Sequence, residues 1–298
     1  MRRQIITLFV SLFVVLVAPA AVAAEPRGAL FKLEEQGHTL FVFGTMHVGL
    51  PEFYPLEPQV EDALAHASVV ALEVDPRQDP QAVAQAMQRF GMLAPGQRVD
   101  ARLAPADRER LERMLKRAGM DPAATVSFKP WLLATLLSLS EYAAQGYRTD
   151  LSVDGYVAAQ ARKNGAQVVE LESLSAQLAL FAQLDDTAQR SFLSDTLEAM
   201  DNGKQEREVR EVVEAWRSAD RAKLEAIARR AAEDQTMSGR FVQEVLLDGR
   251  NGALADKIAA QLKNQTLSVA AIGVLHLVGP KSVPALLQKK GIRVERVY

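Results

Sequence analysis

Two of the four histidines in this 298-residue chain close tetrapeptides of the same outline, Gly44-Thr45-Met46-His47 and Gly273-Val274-Leu275-His276. Each tetrapeptide follows a short apolar run, Leu40 to Phe43 or Leu267 to Ile272, that reads as a buried strand stopped by glycine. Both imidazoles are then delivered on matching strand-end loops at opposite ends of the fold. Glycine serves there because the backbone must turn sharply or approach a ligand closely. Two further strand-like runs end in acid: Val69 to Val74, which contains Glu73 and is followed by Asp75, and Gln167 to Glu172. In open α/β sheets the ligand crevice lies beyond the carboxyl ends of the strands, so His47, His276, Glu73 and Glu172 are expected at one rim. Two imidazoles with one or two carboxylates form a nitrogen- and oxygen-rich set that suits a divalent manganese, cobalt, iron or zinc ion with positions left open for water. Such an ion would lower the pKa of its water and polarise a carbonyl, while a glutamate off the metal took the proton. Asp75 competes with Glu73 for that part, Asp154 reads as a helix-start acid outside the site, and His38 and His66 carry no chemistry.

These residues need a sheet to hold them. Ala29 to Glu34 and Thr39 to Phe43 read as two strands joined across Gln36-Gly37-His38. Leu56, Val60 and Leu64 recur at helical spacing before the Glu73 strand, and a helix from Val153 to Arg162, carrying Asp154, precedes the Glu172 strand. A helix from Ala253 to Leu262 leads into the second histidine strand, and a helix from Lys281 to Lys289 and a strand from Ile292 to Val297 close the chain. The middle is mostly helical. Pro105 to Arg117 turns Leu111 and Leu115 to one face, Pro130 opens the apolar helix Trp131 to Leu139, and Asp185 to Asp234 is charge-laced with a stripe of Val209, Val212, Val213 and Trp216. The stripe reads as part of a solvated helical hairpin. The expected fold class is α/β: a mixed central β-sheet flanked by helices, with a helical cap insertion at about residues 80–235.

Composition narrows the function classes. A hydrophobic content of 48% over this length supports one large domain, expected at residues 25–298. The formal net charge of −2 and the mixing of both signs give no basic stripe, which argues against nucleic acid as a partner. Cysteine is absent, so disulfides, thiolate nucleophiles and zinc–sulfur sites are excluded, and any metal must be held by nitrogen and oxygen. Arg2 and Arg3, the apolar stretch Ile5 to Val17, Pro19 and the small residues up to Ala24 follow the three-part pattern of a secretory signal peptide, residues 1–24. The mature domain is therefore expected outside the cytoplasm, periplasmic or secreted in a bacterial envelope, with membrane contact only through an uncleaved N-terminus. The chain carries no sign of its oligomeric state.

Six stretches in order also resemble a known family: LFVFGTMHVG from Leu40, PEFYPL from Pro51, VVALEVD from Val69, VVELES from Val168 with Gln177-Leu178 after it, LLDGRNGALADKI from Leu246, and AAIGVLHLVG from Ala270. Together they resemble the TraB/PrgY/GumN family, to which the animal Tiki proteases belong, with erythromycin-esterase-like and ChaN-like proteins as related arrangements. The likeness runs from about Phe31 to Tyr298. It implies one pocket lined by His47, Glu73, Arg250 and His276, with Glu172 as a further acid, and it implies metal-dependent proteolysis as in the Tiki branch. Arg250 is then expected to hold a substrate carboxylate or an oxyanion, against the plainer reading that it caps the preceding helix or pairs with Asp248. Ser173 stands where the family commonly has threonine, and Val274-Leu275 where small residues are common, a change that narrows the pocket. The expected function is an envelope-located, metal-dependent hydrolase of a peptide or small ester. The alternatives are a metal-independent, esterase-like hydrolase with His47 as general base and Glu73 orienting it, and a non-catalytic protein that holds a metal, a haem-like ligand or a peptide.

Overall fold

The computed structural model describes residues 26–298, so the signal-peptide expectation for residues 1–24 lies outside the described residues. Six strands form one sheet: β1 (Leu30–Glu35), β2 (His38–Thr45), β3 (Val69–Leu72), β4 (Gln167–Glu170), β5 (Leu267–Gly273) and β6 (Arg293–Arg296), in the spatial order β4-β3-β5-β2-β1-β6. β4, β3, β5 and β2 are mutually parallel, and β1 runs antiparallel to both β2 and β6. The mixed α/β class expected from the sequence is the class observed. Gln36 and Gly37 both take positive φ, which gives the β1–β2 hairpin the twist a two-residue turn requires. All four residues of β3 and the five central residues of β5 are buried, which is why both read as unbroken apolar runs and not as alternating ones.

The topology corrects one expectation. The two histidine strands are far apart in sequence but side by side in the sheet, with Gly44 opposite Ile272 and Thr45 opposite Gly273. β5 sits between β2 and β3, so the parallel strands that carry the site all end at the same edge. β3 and β4 are also two residues shorter than their apolar runs. Leu171 N–H still donates to Leu72 O at 2.7 Å and Glu172 N–H to Glu73 O at 2.9 Å, but both acids sit in bends beyond the strands.

Helices flank the sheet and also build a second apolar cluster. Pro80–Gly91, Pro105–Arg117, Pro130–Ala144, Leu174–Phe181 and Asp186–Asp201 converge on Trp131, Phe181, Phe192 and Phe241, with the Trp131 and Phe181 rings stacked at 4.6 Å. The chain leaves this cluster midway to lay helix Val153–Lys163 and β4 on the sheet, so the helical cap is split and not one continuous insertion. The Trp216 stripe differs from its sequence reading as well. Val213 and Trp216 are fully buried in the core around the sheet, and the Trp216 indole N–H donates to Gly44 O at 2.8 Å. The stripe expected to be solvated is buried: the helix Lys204–Arg217 packs on its neighbours Asp186–Asp201 and Arg221–Glu233, and its C-terminal end reaches the core around the sheet, because helical spacing fixes which residues share a face but not which surface covers it. Among the described residues no helix is long and apolar enough to cross a membrane.

Candidate active site

His47 lies two residues beyond β2, and its ring is aimed by a neighbour outside the expected set. Nδ1 is 2.9 Å from Asp154 Oδ2, while the other Asp154 oxygen accepts the Thr45 hydroxyl at 2.6 Å. Asp154 stands in the first turn of helix Val153–Lys163, whose N-cap Ser152 accepts from Gly155 N–H and whose Val153 N–H donates to Met46 O at 2.9 Å. The helix start is thereby stitched to the GTMH loop. A carboxylate on Nδ1 fixes that nitrogen as the donor and leaves Nε2 as the free edge. The Asp154 charge and hydrogen bond raise the His47 pKa to about 9. Because 69% of the His47 side chain is open to solvent, water screens that pair and Nε2 is accessible to a substrate.

Gly49 seals the same loop. Its backbone exchanges hydrogen bonds with Arg148 at 2.9 and 3.0 Å, and a Cβ on it would come within 2.0 Å of Leu151 O, so no larger residue fits. The motif glycines Gly44 and Gly273 have ordinary negative φ. For Gly44 the requirement is space: a Cβ there would meet Val274 Cγ2 and Leu277 Cδ1 at 3.0 Å, in the turn that carries His276.

Behind His47 lies a buried cluster of ions. Glu73 and Glu172 lie side by side just beyond the paired strands β3 and β4, and Arg250, in the first turn of helix Gly249–Asn264, reaches both. Its Nε donates to Glu172 Oε2 at 2.9 Å, Nη2 donates to Glu73 Oε1 and Glu172 Oε2, and Nη1 donates to Leu246 O at 3.0 Å. Gln177 Nε2 donates to the same two carboxylate oxygens at 2.9 and 3.1 Å, and Gly273 N–H donates to Glu73 Oε2 at 3.0 Å. Burial pushes the Glu73 carboxyl up, but the charges of His276, Arg250 and His47 outweigh it and hold the group at about 2. It is ionised throughout the physiological range. Arg250 makes no pair with Asp248, which instead holds Gln243 and Lys281. Asp75, the competitor to Glu73, turns away to Arg162.

His276 occupies a 3₁₀ turn, Val274–Leu277, and is almost fully buried. Its tautomer follows from its neighbour. Asn251 Nδ2 donates to Lys281 O at 2.8 Å, so Asn251 Oδ1 is the atom facing His276 Nδ1 at 2.6 Å, and that nitrogen carries the proton. Nε2 is left as a lone pair 3.8 Å from Glu73 Oε2. Burial drives the His276 pKa down to about 4, so the ring is neutral near pH 7. An apolar hollow of about 280 Å³, walled in part by Ile227, Leu247, Leu275 and Val278, has Asn251 in its wall and includes none of His47, Glu73 and His276.

Of the five expected residues, Glu73, Glu172, Arg250 and His276 lie together in one buried cluster with Gln177 and Asn251, while His47 is held apart by Asp154 and acts on Glu73 only through its charge. An ion ligated by His47, His276, Glu73 and Glu172 together does not fit this arrangement. Donors occupy both oxygens of Glu73, Glu172 Oε2 is taken by Arg250 and Gln177, and a fixed guanidinium already supplies the positive charge. Nor does Arg250 present a free fork to a substrate, since all three of its nitrogens have protein acceptors. Residues 29–296 match the family model described as the TraB/PrgY/gumN family. The chain belongs to this family. Within it, the chain is similar to the uncharacterized protein YbaP of Escherichia coli (strain K12), with 24% identity over 250 residues that cover 83% of this chain and 87% of YbaP. YbaP of Shigella flexneri matches to the same extent. No solved structure matches the chain. The TraB/PrgY/gumN span includes every residue of the site described above.

Proposed function

We propose that this chain is a hydrolase of peptide or ester bonds, working in the bacterial envelope, in which the His47–Asp154 pair performs the proton transfers and no step is routed through a metal. The observation that carries the reading is the 2.9 Å bond from His47 Nδ1 to a carboxylate pinned by Thr45, with Nε2 left open to solvent. This is the arrangement of a base oriented by a third group. In the reaction, neutral His47 Nε2 takes a proton from water as its oxygen attacks the carbonyl carbon. The tetrahedral intermediate then collapses as the imidazolium returns that proton to the departing amine or alcohol oxygen. Asp154, in place of the Glu73 considered from sequence, stabilises the transient imidazolium. The buried Glu73–Arg250–Glu172 cluster supplies a rigid, charged floor.

The test is turnover on a panel of peptides and nitrophenyl esters after exhaustive treatment with a chelator. Wild-type protein should retain its turnover, and His47→Ala should lose it while keeping its far-ultraviolet circular dichroism. A turnover that vanishes with the chelator and returns with manganese, cobalt or zinc would refute the metal-free route. No turnover on any substrate, with a ligand bound through His47, would favour the non-catalytic alternative.

A further inference from the structure

We infer that Arg250 is the resident cation of this pocket: its guanidinium holds the place between Glu73 and Glu172 that a divalent ion would take, and it keeps the wild-type chain free of metal there. The inference concerns ion uptake and stands or falls separately from hydrolysis.

The two glutamates are forced together by the sheet, because Glu172 N–H donates to Glu73 O at the ends of the paired strands β3 and β4. Their side chains are only 6% and 14% exposed, so the repulsion between them is poorly screened and a cation is required. Two kinds of cation meet that need, a bound ion or a side chain. Here the guanidinium is bonded to both carboxylates, and it cannot give up its charge by deprotonation. It is also tethered, since helix Gly249–Asn264 follows directly on the π-helical segment Phe241–Asp248, and Nη1 is anchored on Leu246 O within that segment. An ion from solution must therefore displace a group present at high local concentration and strip Gln177 and Gly273 from the Glu73 oxygens. With the guanidinium removed, the same walls offer two carboxylates and the unprotonated Nε2 of His276, 3.8 Å from Glu73 Oε2. That set of oxygen and nitrogen donors suits manganese, cobalt or zinc.

The experiment is equilibrium dialysis of the full mature chain against Mn²⁺, Co²⁺ and Zn²⁺, with Glu73→Gln run in parallel to identify ions held by this pocket. Wild type and Arg250→Lys, which keeps a positive charge, should show no uptake that depends on Glu73. Arg250→Met keeps the apolar stem without the charge; it should gain an ion that is lost again in Arg250→Met with Glu73→Gln. Its melting temperature should rise with ion concentration where that of wild type does not. Glu73-dependent uptake by the wild-type chain would overturn the inference, and so would a folded Arg250→Met that takes up none of the three ions. If Arg250→Met does not fold without added ion, it is refolded with each ion present: Glu73-dependent recovery of far-ultraviolet circular dichroism with one of the three supports the inference, and failure with all three overturns it.

Discussion

Asp154 acts on His47 through a hydrogen bond and a full negative charge, and both favour the protonated ring. A general base must be neutral, so raising its pKa moves the active form to higher pH: turnover should climb through neutrality towards the region of about 9 and level off beyond it. Solvent around the exposed ring lowers that midpoint without changing the direction. In Asp154→Asn the charge is gone, and the midpoint should fall back towards the ordinary imidazole value of about 6.5. The amide can also offer its NH₂ to Nδ1 and so select the wrong tautomer, which lowers the plateau by roughly 10²–10⁴-fold. A pH–rate profile of both proteins checks the two effects together, and an unmoved midpoint would remove Asp154 from the mechanism. His276 belongs to the other limb. Neutral by burial, it gains a proton only near pH 4, and its charging beside Arg250 opposes the folded state as the pH falls from the unfolded-state value of about 6.5 towards 4.

The elements that carry these side chains are joined by contact as much as by hydrogen bonds. Gly44 in β2 lies against the 3₁₀ turn of His276, and a methyl group there would press on Val274 Cα at 3.2 Å, a backbone atom that cannot move aside. Gly44→Ala should therefore cost about 1–3 kcal/mol by overpacking. Gly273→Ala, whose nearest neighbours would be at 3.5 Å, should stay within roughly 0.5 kcal/mol of wild type. Urea unfolding of the two variants makes the comparison, and equal losses would show that glycine at position 44 is not a matter of space. Much of this architecture was legible in the sequence. The strands announced themselves as apolar runs stopped by glycine or acid, and the rim position of His47, His276, Glu73 and Glu172 followed from where those runs end. Arg250 came only through family likeness, because an arginine at a helix start has no local signature for a partner so distant in sequence. Asp154, Gln177 and Asn251 stayed hidden for the same reason: each sits in the first turns of a helix and reads as a capping acid or a surface amide. A usable signal existed for Asp154. A helix that feeds a parallel strand must begin at the edge where the other strands end, which puts its first-turn acid beside the site.

At the scale of the whole molecule, Arg2, Arg3, the apolar stretch and the small residues before Glu25 lead us to expect that mass spectrometry of protein recovered from the cell envelope will find a mature chain starting near Glu25. An intact Met1 in a soluble cytoplasmic pool would contradict export. The order of strands adds a consequence for how the protein comes into being. β5 lies at the centre of the sheet yet leaves the ribosome after β1, β2, β3 and β4, and it must slot between β2 and β3. Until it arrives, those two strands expose facing rows of unpaired amides and carbonyls, and the sheet halves have nothing to join them. Contacts of such long sequence separation fold slowly, and the waiting chain is open to non-native strand pairing. A nascent chain cut short before Leu267 would hold His47, Glu73 and Glu172 and still have no wall for them to line, so the pocket is completed only once β5 has been made.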